Sequence, residues 1–147
     1  MTYDKLVLLA ILGLIASTQF VRAAEYNGPV AHIVDGDTFD VRAGSANVRV
    51  RLCGVDSPEQ GHKDYSKAKD ALTALIGGKA VRCVQVGGGT PCDGRSKPTN
   101  RNRVVAQCFV EGLDIGTAMV RSGNACDWPK FSGGHYRVDP TTCINPK

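Results

Sequence analysis

The chain carries three short runs of alternating apolar and polar character in succession: Val30 to Val34, Thr38 to Arg42 and Val48 to Leu52. Each reads as a strand with one face on a core. Asp35-Gly36-Asp37 marks a tight corner between the first two, and Gly44-Ser45 separates the second from the third, which breaks at Gly54. The period then changes. Ala68, Ala71, Leu72 and Leu75 recur at helical spacing with Lys67, Lys69 and Asp70 outside, and Gly77-Gly78 ends the run, predicting an amphipathic helix from about Ser66 to Ile76. Two further strands, Ala80 to Val86 and Arg103 to Val110, flank Gly87 to Asn100, whose Gly, Pro, Ser and Asn content reads as a long hairpin loop.

A second helix starts at Asp114, a good N-cap, buries Ile115, Ala118 and Met119, and stops at Gly123. Met119 is assigned to the core. Trp128 is expected to close the core as well, while Phe131 and Tyr136 are left between core and base-stacking roles. Val138 to Lys147 carries two prolines and a cysteine, so it is expected to be irregular.

A length of 147 residues with ordinary apolar content bounds the chain to one domain with a modest core. Lys5, the apolar run Leu6 to Ala16 and the Val21-Arg22-Ala23 site predict a signal peptide over 1–23, leaving a domain over 24–147. The alternative, an uncleaved anchor, meets a run shorter than the roughly 20 apolar residues of a spanning helix. Export to the periplasm or medium is expected, as a monomer without stable membrane association after cleavage. Cys53, Cys83, Cys92, Cys108, Cys126 and Cys143 all follow the cleavage point, an even set that reads as disulfides in an exported domain. Strand positions favour Cys83 with Cys108, across the hairpin that flanks the long loop. Cys126 with Cys143 is a further possibility. The net charge of +4 falls to +3, 16 basic against 13 acidic residues, once Lys5, Arg22 and Asp4 are removed. That bias favours polyanions without amounting to a basic-patch signature.

The candidate chemistry lies between Val34 and Glu59. Asp37, Asp56, the Ser57 carbonyl and Glu59, directly or through water, are hard oxygen donors of the kind Ca²⁺ takes. Arg51 offers a planar fork to a phosphate. Alone, an Asp-Gly-Asp-Thr turn marks many plain hairpins, and His62, in a polar loop, is given no role.

Together, DGDT at Asp35 to Thr38, RLCGVDSPE at Arg51 to Glu59, Arg103 in NRVVAQC and the following DIGTAMVRSG resemble the staphylococcal nuclease (thermonuclease) family in order and spacing, over roughly His32 to Trp128. The resemblance implies an α+β fold: a five-stranded, partly open Greek-key barrel of the oligonucleotide/oligosaccharide-binding type with two packed helices. It implies a Ca²⁺-dependent endonuclease acting on DNA and RNA with little sequence preference and leaving 3′-phosphates. Asp37, Asp56 and Ser57 would hold the metal, Arg51 and Arg103 would clamp the phosphate, and Glu59 would orient or deprotonate water. Two departures stand out: Arg101 replaces a common aromatic, and the charged third helix is missing. A non-catalytic nucleic-acid-binding module on the same fold is the alternative, as is a Ca²⁺-stapled scaffold that binds a protein.

Overall fold

The computed structural model describes residues 22–138; most of the expected leader and of the irregular tail, with Cys143, lies outside that range. In chain order the described elements are β1 (Glu25–Ile33), β2 (Thr38–Ala43), β3 (Ala46–Leu52), β4 (Val55–Asp56), α1 (Tyr65–Ile76), β5 (Ala80–Gln85), β6 (Thr99–Asn100), β7 (Arg103–Val110), β8 (Leu113–Asp114), α2 (Ile115–Arg121), β9 (Cys126–Asp127) and α3 (Pro129–Ser132).

Five strands form the barrel in the order β3-β2-β1-β5-β7, and β3 pairs with β7 to close the ring. All neighbours are antiparallel except β3 and β7, which run parallel through Val50–Val104, Arg51–Val105 and Leu52–Ala106. The barrel closes because β1 is long enough to serve two neighbours. Glu25 to Pro29 pair with β5, and Val30 to Ile33 pair with β2, with a register irregularity between Val30 and His32. Such a bulge bends a strand and increases its twist, which curls the sheet.

Alternate positions of the strands point inward. Phe39 and Val41 of β2 and Val50 and Leu52 of β3 are buried, whereas Asp40, Arg49 and Arg51 lie on the other face. α1 lays Ala68, Leu72 and Ile76 on this core, at successive i, i+4 positions, and α2 adds Ile115, Met119 and Val120. Ala118 is only half-buried. Each fully buried side chain of this size contributes about 1.5–3 kcal/mol, and truncating Leu72 to Ala would cost about 2–5 kcal/mol through the cavity it leaves. Tyr136 joins the same cluster at 4 % exposure, so the position left open in the sequence belongs to the core.

Cys83 and Cys108 stand directly opposite each other in the β5–β7 register and are bridged, with Cα atoms 4.1 Å apart. A second bridge, Cys53–Cys92, spans 6.2 Å between Cα atoms and ties the 87–98 segment to the end of β3. Nothing in the sequence singled out that pair. Cys126 is also disulfide-bonded. α3 is an addition to the two helices expected: Pro129, with φ pre-set for a first helical position, opens one turn, and Gly133 in the left-handed region closes it.

Candidate active site

The corner between β1 and β2 is held by its own backbone. Val34 and Asp35 N–H both donate to the Thr38 carbonyl, at 3.0 and 3.2 Å, and Asp37 N–H donates to the Asp35 carboxylate at 3.0 Å. Gly36 packs so tightly that an added Cβ would sit 2.8 Å from the Cβ atoms of both Ser57 and Ala68. Only glycine lets this corner close against the Ser57 and Ala68 side chains. Asp37 is thereby driven inward, 4 % exposed.

Its carboxylate is fully engaged. One oxygen accepts from the Thr38 hydroxyl at 2.9 Å and faces Arg51 Nε at 3.1 Å; the other accepts from Ser57 N–H at 2.9 Å and from the Ser57 hydroxyl at 3.0 Å. The second half of the site comes from the break after β3. Cys53 N–H donates to the Ala106 carbonyl and Trp128 N–H to that of Gly54, so the chain leaves the barrel and re-pairs as β4 with β9. This turn places Asp56 and Ser57, 3 % and 2 % exposed, against Asp37. Arg51 lies between the carboxylates. Its Nη1 donates to the Leu52 and Val55 carbonyls at 2.6 and 2.7 Å, and its Nη2 to Asp56 at 3.4 Å.

Arg51, Glu59 and Arg103, the three expected catalytic residues, line one cleft of about 900 Å³. Asp37, Asp56 and Ser57 are set back from its lining and connect to it through Arg51. Glu59 is exposed on the rim after Pro58, and Arg103 approaches from the start of β7. Arg103 makes no ion pair or side-chain hydrogen bond among the described residues, which leaves its guanidinium available to an anion.

Three acids, Asp35, Asp37 and Asp56, are gathered around the single guanidinium of Arg51. Burial above all, and then the Asp37 charge, raise the Asp35 carboxyl to about 6, with partial relief from the Asp37 N–H and Arg51. A pocket with this excess of negative charge fits a hard divalent cation. No group of three or more His, Cys, Asp and Glu side chains among the described residues is placed to hold a metal alone. Two carboxylates and the Ser57 carbonyl would therefore need water and substrate oxygens to complete a coordination shell.

Two site residues differ from their sequence reading. Asp35 was only a turn residue there, yet it belongs to the acidic group and fixes Asp37; the signal was the repeated acid of Asp35-Gly36-Asp37. Trp128, expected in the core, is half-buried and lines the cleft with Phe131, their rings edge-on at 4.7 Å. The reason is local: its N–H is committed to Gly54 and Pro129 begins α3 beside it, while Tyr136 takes the core place. His62 lies on another pocket and accepts from Asp64 N–H.

The family profile described as Staphylococcal nuclease homologue matches residues 49–136, which contain Arg51, Asp56, Ser57, Glu59 and Arg103. An Escherichia coli protein named "Uncharacterized endonuclease" is 28 % identical over 122 residues, 82 % of this chain and 69 % of that protein. The "Micrococcal nuclease" of Shigella flexneri is 42 % identical over 52 residues, 35 % of this chain and 30 % of that protein. The "Succinoglycan biosynthesis protein ExoI" of Rhizobium meliloti is 30 % identical over 139 residues, 86 % of this chain and 65 % of that protein.

Proposed function

Because the chain belongs to the staphylococcal nuclease homologue family, we propose that it is a Ca²⁺-dependent endonuclease hydrolysing phosphodiester bonds of DNA and RNA with little sequence preference. The observation that carries this reading is the convergence of Arg51, Glu59 and Arg103 on one cleft, with Asp37 and Asp56 packed behind Arg51.

Asp37, Asp56 and the Ser57 carbonyl would hold Ca²⁺, which supplies Lewis-acid stabilisation of the charge that develops on the phosphoryl group. Arg103 binds a phosphoryl oxygen from the β7 side. Arg51 binds another with the Nη2 proton that Asp56 does not take, its plane fixed beforehand by the Leu52 and Val55 carbonyls. Glu59 accepts a proton from the attacking water, as a general base on the open side of the cleft. The water oxygen forms the new bond to phosphorus and the bond to the 5′ oxygen breaks. The products are a 3′-phosphate and a 5′-hydroxyl, which takes its proton from solvent.

The aromatic faces of Trp128 and Phe131 in the cleft accept any base, which supports weak sequence preference. The Cys53–Cys92 and Cys83–Cys108 bridges support work in an oxidising compartment, periplasm or medium. The test is incubation of the purified protein with plasmid DNA and with RNA in Ca²⁺, with and without EGTA, followed by end-group analysis. Nicking that EGTA abolishes, with 3′-phosphate ends, is expected. Binding with no cleavage in any metal would make the protein a binding module instead.

A further inference from the structure

The cleft carries more positive charge than the proposed chemistry uses. Besides Arg51 and Arg103 its lining holds Arg95, Lys97 and Arg101, and Glu59 is the only acid among its lining residues. Arg95, Lys97 and Arg101 are exposed and in no ion pair among the described residues, whereas Arg49, Lys79 and Arg82 elsewhere each face a carboxylate. We propose that the 87–101 segment is a built phosphate-binding wall, in which Arg95, Lys97 and Arg101 hold the phosphates flanking the scissile one on a single strand, and the Cys53–Cys92 bridge positions them. The inference rests on the reading that this cleft takes nucleic acid.

The wall is fixed at four places. The Cys53–Cys92 bridge joins it to the end of β3, two residues from Arg51. Gly54, at φ +70°, lies so close that an added Cβ would meet Cys92 Sγ at 3.1 Å and Ser132 Cβ at 2.7 Å, so the bridge, the β3 break and α3 are packed as one piece. Asp93, the one acid of the 87–101 segment, is turned into it. Its carboxylate accepts from Gly87 N–H at 2.7 Å, Gly89 N–H at 2.8 Å and the Thr90 hydroxyl at 2.7 Å. Burial opposes its ionisation, but these donors outweigh burial and hold its carboxyl below the ordinary range. At the far end the Pro98 carbonyl accepts from Val105 N–H and from the Gln85 side chain. The Arg95 guanidinium packs on Gly133, where an added Cβ would sit 2.8 Å from Nε. Arg95 thus stands beside α3, which carries Phe131.

Cations in no ion pair among the described residues and the rings of Trp128 and Phe131 line the same cleft, the combination that tracks the phosphates of a single strand while stacking its bases. Its mark is salt dependence, because each phosphate neutralised releases counterions, giving a slope of about −0.7 in log K against log[salt] per contact on single strands.

The experiment measures binding of the full-length chain, in EGTA, to a fluorescent oligothymidylate of about eight nucleotides and to a thymidine dinucleotide across a salt series. Arg95→Ala/Lys97→Ala should flatten the octamer slope by about 1.4, weaken octamer binding at moderate salt by about tenfold or more, and leave the dinucleotide within about twofold. Cys53→Ser/Cys92→Ser and, independently, Asp93→Asn should produce the same length-dependent loss if the wall is positioned as argued; whichever of the two folds decides that half. An octamer slope unchanged in Arg95→Ala/Lys97→Ala would overturn the wall. An intact slope in both positioning variants would overturn the role of the bridge. Cleavage by the parent in Ca²⁺ with an indifferent slope would sink the wall alone, and a slope lost in the charge variants with no cleavage by the parent would sink the nuclease reading alone.

Discussion

Arg51 Nε lies 3.1 Å from Asp37 Oδ1, and the two side chains are 12 % and 6 % exposed. The pair couples the barrel to the chemistry, since the same guanidinium also receives Asp56 and caps two carbonyls at the β3 break. Arg51 is therefore a brace as well as the phosphate ligand proposed above.

Arg51→Ala and Arg103→Ala should separate by stability while agreeing in rate. Each should lower turnover by about 10²-fold or more, the usual effect of losing one preorganised donor to developing charge. Arg51→Ala also leaves two buried carboxylates without their counter-charge and should destabilise by about 3–5 kcal/mol. Arg103→Ala, on a strand end without partners among the described residues, should stay within about 0.5 kcal/mol of the parent. Urea unfolding beside initial rates reads both.

The stabilising contribution of Asp35 in EGTA should fall as pH rises from about 4 to beyond 6. The Asp35 carboxyl is raised from 3.8 to about 6 in the folded protein, so folding favours its protonated form. That contribution is fully present below the unfolded value and is lost as pH rises through the folded one. Asp35→Asn keeps the oxygen that accepts from Asp37 N–H and removes the charge. It should melt higher than the parent at pH 8 in EGTA and no higher at pH 4. A gap equal at both values would contradict the assignment.

Trp128→Ala should weaken substrate binding without unfolding the domain. A stacked base is worth about 1–3 kcal/mol, so KM for a single-stranded oligonucleotide should rise about 5- to 150-fold while kcat changes little. A core tryptophan would instead cost about 3–5 kcal/mol of stability, and thermal melts of the variant distinguish the two.

Replacing Cys83 and Cys108 by Ser should act on folding and not on turnover. The bridge closes a separation of 25 residues, worth about 3.5 kcal/mol in the loop-entropy view. Both cysteines are buried in the barrel core, away from the cleft lining. A lower urea midpoint with an unchanged rate at low temperature is expected.

The strands and helices were legible because period-two runs such as Thr38 to Arg42 and the helical spacing of Ala68, Leu72 and Leu75 report one buried face directly, whereas their closure into a five-stranded barrel came from the family resemblance. Cys83–Cys108 was legible for the same reason: antiparallel register sets residues at equal distances from a loop against each other. The Cys53–Cys92 bridge has no such rule, since it joins a strand end to an irregular loop whose path is fixed by Asp93 and by glycine contacts. The net charge hid the basic cleft because composition averages over the surface, while the loop brings Arg95, Lys97 and Arg101 to one place. Trp128 was misplaced because hydrophobicity alone does not report which way a residue before a proline turns its ring. The carboxylates were found as a set, but their enclosure by Arg51 and the Ser57 N–H exists only after the β3 break has folded back.

In the proposed mechanism Glu59 works as a base on a phosphodiester held by Arg51 and Arg103 beside a Ca²⁺ site. The most direct measurement is the single-turnover cleavage rate of one oligonucleotide by the parent and by Glu59→Gln, in Ca²⁺, in Mg²⁺ and in EGTA. The parent should cleave in Ca²⁺, poorly in Mg²⁺, which demands near-ideal octahedral geometry at shorter distances and gives up its waters reluctantly, and not in EGTA. Glu59→Gln should lose about 10²- to 10⁴-fold in Ca²⁺ while binding the oligonucleotide as the parent does. Equal rates for parent and Glu59→Gln, or a parental rate indifferent to EGTA, would contradict the account.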